Sequence, residues 1–158
     1  MVADDRSGAL PGVSSLASAS RAGAETQSAS FDVGSVRLEL SASPGAARLV
    51  VVVDGQQDTY VIGPAELGAW SAATAKLLAL LPASRADERA EFRAPYLTDR
   101  EGRASIAVEG LVSELGVRYR LLVRRASGTV RGIMTDAELT RGLAEAAAGA
   151  AALAGSTT

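Results

Sequence analysis

Apolar and polar residues begin to alternate at about Phe31. Val36, Leu38 and Leu40 are interleaved with Arg37, Glu39 and Ser41, the two-residue period of a strand with one face buried. SPGA at 43–46 is a turn. The continuous aliphatic run in RLVVVVDG predicts a central strand covered on both faces. Asp54-Gly55 then marks a tight hairpin, because a two-residue turn of this kind needs positive φ at both central positions. TYVI at 59–62 is the returning strand. Beyond it the period changes. Pro64 suits a first helical position, where its missing N–H costs nothing. Glu66 lies in the first turn, where the helix dipole favours an acid. Leu67, Trp70, Thr74, Leu77 and Leu81 trace one helical face at steps of three and four, and Pro82 ends it.

The same plan recurs. AEFRAPYL at 90–97 reads as a strand, placed at a sheet edge because Pro95 has no donor for a ladder. TDREG turns the chain, and Ile106 and Val108 alternate with Ser105 and Ala107. GLVSEL at 110–115 reads as an extra piece with no counterpart in the first half. In VRYRLLVRR, Val117, Tyr119, Leu121 and Val123 face one way and Arg118, Arg120 and Arg124 the other. TVRGIM is a strand, and Thr135 with Glu138 reads as a capping box opening the last helix. VIGPAELGAW (61–70) and GIMTDAEL (132–139) are two versions of one strand-to-helix junction. The pattern therefore predicts an α+β fold, a tandem ββββα repeat of antiparallel sheets with two packed helices. A single domain over 30–154 is expected, with halves 30–82 and 90–154.

The alignment of the halves sets Trp70, Thr74 and Leu77 against Gly142, Ala146 and Gly149. Glycine inside a helix costs about 0.5–1 kcal/mol against alanine. The expectation is that Trp70 packs over the small face formed by Gly142, Ala146 and Gly149. Residues 1–29 are rich in Ser, Ala and Gly and read as a disordered arm. Within it, Leu10, Val13 and Leu16 are spaced like one side of a short helix. The arm lacks the basic start and apolar run of a secretory signal, and no stretch of the chain is apolar enough to span a membrane. A cytoplasmic location is expected.

Composition removes several chemistries. The chain has no cysteine and no histidine, so thiolate metal sites, disulfides and the commonest general base are excluded. No phosphate-binding glycine loop, nucleophile elbow or calcium loop occurs. Acids near turns, such as Asp54, Asp58, Asp99 and Glu101, read as turn chemistry. The expectation is a protein that is not an enzyme, with no catalytic residues, cofactor or metal. Lys76 is the only lysine beside fifteen arginines, which reads as the coding bias of a GC-rich bacterial genome. Charge adds one detail. Residues 1–83 carry a net −3 and residues 84–158 a net +1, together the −2 of the whole chain.

The tandem ββββα layout resembles the superfamily of Whirly and PUR nucleic-acid-binding proteins. In TYVIGPAELGAWSAATAKLLALLP, the residues Val61, Ile62, Pro64, Ala65, Leu67, Trp70 and Leu81-Pro82 are similar to a segment of the SsgA-like sporulation and cell-division regulators. That family is itself built on a Whirly-like fold. The resemblance implies a role in recruiting division or morphogenesis machinery.

Two functions follow as expectations. The first is a non-catalytic protein-interaction or scaffold module, self-associating as a homo-oligomer through sheet edges. The alternative is a single-stranded nucleic-acid-binding protein. For either, the candidate contacts are Arg118, Arg120, Arg124, Arg125 and Arg131, extended by Arg93, Arg100 and Arg103, with Tyr60, Tyr96 and Tyr119 as candidate stacking rings.

Overall fold

A computed structural model describes residues 13–14, 26–80 and 90–156. The first half is an antiparallel meander: β2 (Gln27–Val33), β3 (Val36–Ser43), β4 (Ala46–Val53) and β5 (Gln56–Ile62), with the short β1 (Val13–Ser14) paired to the outer edge of β2. Helix α1 (Pro64–Leu80) follows. The second half repeats the order with β6 (Ala90–Arg93), β7 (Ile106–Ser113), β8 (Gly116–Arg124), β9 (Val130–Thr135) and α2 (Ala137–Ala154). Its strands form a separate four-stranded antiparallel sheet in chain order. Among the described residues, no helix is long and apolar enough to cross a membrane.

Strict alternation explains the first sheet. Cross-strand rows Ala29–Leu40–Leu49–Tyr60 and Phe31–Leu38–Val51–Asp58 lie on the inward face, and every member but Asp58 is buried. The outward rows carry Ser28, Ser41 and Arg48, then Ser30, Glu39 and Thr59. Aliphatic β4 departs from the expected two-sided burial. Leu49, Val51 and Val53 are buried, but Val50 and Val52 are only half-buried on the outer face. Its neighbours are antiparallel hairpin strands, which leave one face open, and among the described residues no crossover helix joins them. Asp54 and Gly55 join β4 to β5 with φ of 52° and 81°, as a hairpin turn with two positive-φ residues requires.

Local expectations shift in five places. β2 begins at Gln27, inside the segment expected to be an arm. Val13 is in a strand opposite Phe31 rather than in a helix, while Leu10 and Leu16 lie outside the described residues, as do Leu81 and Pro82. GLVSEL is not an extra piece. Gly110–Ser113 complete β7, paired with Tyr119–Gly116 of β8, and Glu114 and Leu115 turn the hairpin. Strand β6 sits at the edge as expected but ends at Arg93, before Pro95. The chain continues along β7 through Ala94 N–H to Val108 O (3.1 Å) and Leu97 N–H to Ile106 O (2.8 Å). Finally, the α2 cap is Asp136, not Thr135. Its Oδ1 accepts from Leu139 N–H at 2.7 Å, and Thr135 stays in β9 opposite Tyr119.

The helices are antiparallel and touch each other. A β-carbon on Gly155 would lie 3.7 Å from Pro64, and one on Gly68 would lie 3.6 Å from Ala151. The Ser71 hydroxyl donates to the Ala144 carbonyl at 2.7 Å. Small side chains on both helices allow this approach. Gly149 borders β2, where an added β-carbon would come within 3.2 Å of Gln27 Oε1. Trp70 is buried in the core.

Helix α2 lies across β2, β3 and β4, the sheet of the other half, and also touches β8 of its own sheet. Gly45 N–H at the β3–β4 turn donates to Ala154 O at 2.9 Å, fixing its end there. Helix α1 in turn packs against α2 and β7. One continuous apolar core results, running from Ala29 through Tyr119 to Ala154.

Candidate functional site

The candidate arginines separate into two groups. The first occupies the outer face of the second sheet. Register places Arg93, Glu109, Arg120 and Met134 in one row across β6 to β9, with Glu91, Leu111 and Arg118 in the next. Arg120 Nε donates to Glu109 Oε1 at 2.8 Å, and a second nitrogen of the same guanidinium reaches that oxygen. The stem of Arg120 lies over Gly132, where a β-carbon would come within 3.0 Å of Arg120 Cδ. That contact accounts for a glycine inside β9. Arg93 sits 5.7 Å above the Tyr96 ring, within cation–π range. Arg118 is exposed and has no side-chain partner among the described residues.

The second group joins the two halves. Arg125 donates from Nε to Asp58 (3.0 Å) and from Nη2 to Gln56 Oε1 (2.9 Å). Arg131 reaches Asp54 and Ser35, both at 2.9 Å. Arg103 donates to Asp99 at 2.8 Å and to Thr59 O at 3.3 Å, and lies 5.0 Å over the Tyr60 ring. Arg100 N–H donates to Val61 O, and its guanidinium reaches Gly45 O. The charge asymmetry between halves therefore has a structural meaning. The acids of the β4–β5 hairpin meet arginines carried by the second half. Sequence reading attributed these arginines to a partner and these acids to turn chemistry. The opposite net charges of the two halves were the signal that could have paired them.

Asp99 organises the loop between β6 and β7. Its carboxylate accepts from the N–H groups of Glu101 (2.9 Å) and Arg103 (2.7 Å) as well as from the Arg103 guanidinium. Burial pushes the Asp99 carboxyl up, but the backbone N–H and guanidinium of Arg103, with Glu101 N–H, outweigh it and hold it below the ordinary aspartate value. Asp58 follows the same pattern. Burial raises it, and the Arg125 guanidinium with Ala126 N–H outweighs that and holds it below the ordinary aspartate value.

Both groups thus have folded pKa values below the unfolded value of about 3.9. The stability they contribute is fully present above that value and is lost as pH falls through the depressed folded values. Thermal melts from pH 6 to pH 2 should show a steep loss below about pH 4. Asp58→Asn should melt lower than wild type at pH 6 and lose less than wild type over the acid limb. Parallel curves would refute this assignment.

The aromatic candidates are mostly interior. Tyr60 and Tyr119 are 0% and 5% exposed. The Tyr60 hydroxyl donates to Arg124 O at 3.1 Å across the halves. Burial raises the pKa of both phenols. Tyr96 is half-buried, and Phe92 on β6 is an exposed ring that the sequence reading did not select. No protein-family model matches this chain, and no curated protein matches it.

Proposed function

We propose that the protein is a non-catalytic interaction module that self-associates and serves as a scaffold, with the outer face of its second sheet as the contact surface. The observation that carries this reading is the composition of that face. Arg93, Arg118 and the Arg120–Glu109 pair surround half-buried Leu111, and Met134 and Val130 are 51% and 47% exposed on the adjacent edge strand. Fixed charges around apolar patches on a flat sheet suit a protein partner. Edge strands β6 and β9 offer further backbone pairing. The similarity of residues 61–82 to SsgA-like regulators supports a Whirly-like fold and a cytoplasmic role in bacterial cell division or morphogenesis.

Single-stranded nucleic acid is the second reading, favoured by Arg118 and Arg124, whose guanidinium groups have no partner among the described residues. Against it, two of the three tyrosines expected to stack on bases are in the core, and stacking is a main source of affinity for unpaired strands.

Light scattering on a size-exclusion column tests the first reading. Wild type should run as an oligomer, and Arg118→Glu with Met134→Asp should run smaller at an unchanged melting temperature. A wild type that stays monomeric at high concentration would sink it. Binding of a fluorescent oligonucleotide with a steep salt dependence would favour the second reading instead.

A further inference from the structure

Two turns of the second half meet in an open cleft of about 280 Å³, with Gly102 and Arg103 on one wall and Arg124, Arg125 and Gly128 on the other. Three consecutive facts make it unusual on this surface. Arg103 and Arg125 are each held at Nε by an aspartate and at Nη2 by Thr59 O or Gln56 Oε1, which leaves Nη1 of each unbonded among the described residues. The Arg124 side chain has no partner there, although its backbone is anchored on both sides: its N–H donates to Ser105 O at 2.7 Å, and its carbonyl accepts from Tyr60. Among the described residues no acid lines the cleft.

The geometry points to a binding site for a small oxyanion of the phosphate type, the phosphate group of a phosphomonoester or free inorganic phosphate. Arg103 is held from behind by Asp99 and lies 3.6 Å from the exposed Glu101, Arg125 is held by Asp58, and Arg124 carries the cleft guanidinium that has no acid partner among the described residues. The two aspartates act as an orienting layer, fixing the direction of the forks before any ligand arrives. Donors from three separate side chains match a tetrahedral group with three terminal oxygens better than a planar carboxylate, which one arginine fork satisfies. The volume lies at the lower edge of the roughly 300–1,000 Å³ of pockets for larger organic ligands, which suits a compact anion. Of the outer sheet face only Arg124, at the end of β8, belongs to the cleft, and neither Arg118 nor Met134 lines it, so the site stands or falls separately from the proposed function.

Because Asp58 and Gln56 belong to the first half and the three arginines to the second, an anion in the cleft would brace the junction between them. A ligand that binds only the folded chain raises its melting temperature by mass action. The test is a titration of the full chain with sodium phosphate, and separately with phenyl phosphate, at ionic strength held constant with sodium chloride. Wild type should melt progressively higher in one or both, the phenyl phosphate arm distinguishing a phosphomonoester from the free ion. Arg124→Gln should melt like wild type in chloride and bind roughly tenfold or more weakly, as the loss of a charge-assisted contact implies.

Backbone amide spectra of wild type give an independent readout, with Gly102, Arg125 and Gly128 shifting at low phosphate. Equal melting responses in the two proteins, or amide shifts spread over other arginines with none at these residues, would overturn the assignment. An unresponsive wild type would do the same. Should Arg124→Gln fold poorly, the wild-type amide titration decides alone.

Discussion

A fragment ending at Leu80 is expected to be unfolded, although it contains the whole first sheet and its own helix. The reason is the placement of α2. The inward side chains of β2 to β4, among them Phe31, Leu38, Leu40, Leu49 and Val51, are almost fully buried, and the helix lying across those strands comes from the end of the chain. Re-exposing side chains of this size costs about 1.5–3 kcal/mol each. For five of them this is comparable with the entire folding free energy of a small domain, about 5–15 kcal/mol. Circular dichroism of the fragment should lack the strand and helix signal, and mixing it with the fragment 84–158 should restore it. A fragment that alone gives a dispersed amide spectrum would show that the exchange of helices is dispensable.

The second large effect belongs to Asp99. Its side chain is 2% exposed and accepts two backbone N–H bonds and one from Arg103. Asp99→Ala removes a buried acceptor of three hydrogen bonds; bonds to a charged group contribute about 1.5–3 kcal/mol each, and water takes over part of this because residues 100–103 are exposed. A loss of about 2–4 kcal/mol is expected in urea denaturation. Asp99→Asn keeps one acceptor oxygen and should cost less than half as much. The loop also carries the Arg100 N–H that bonds Val61 O, so the alanine variant should loosen the junction between halves as well. Near-equal stability of alanine and asparagine variants would mean that the charge, not the acceptor geometry, matters.

What was legible in the sequence was whatever a few neighbouring residues decide. Asp54-Gly55 specified its hairpin, Pro64 marked the first residue of α1, and the alternation across residues 117–123 separated core from surface in β8. Errors arose where two local signals competed. Thr135 and Asp136 are both good caps, and the pairing of Thr135 with Tyr119 leaves the role to Asp136. GLVSEL at 110–115 read as an extra piece, yet its Gly110 lies within β7 opposite both Phe92 and Tyr119.

Long-range matters were not legible. Arg125 and Asp58 are 67 residues apart, and Arg131 and Asp54 are 77 apart. No periodicity in the chain relates them. Alternation put Arg118, Arg120 and Arg124 on one face of β8, with Arg93, Arg100 and Arg103 added as extensions of the patch, whereas 103, 125 and 131 turn to the first half through a tertiary arrangement that alternation does not encode.

Helix α2 is the last described element of the chain, and it covers strands near the beginning. During synthesis the apolar side of the first meander therefore emerges well before its cover. At about 5–20 residues per second, the ribosome needs on the order of ten seconds to extend from Ile62 to Ala154. For that interval the nascent meander is a sticky surface, suited to a holding chaperone or to mispairing with another nascent copy. Slower translation of the second half should lower the soluble yield.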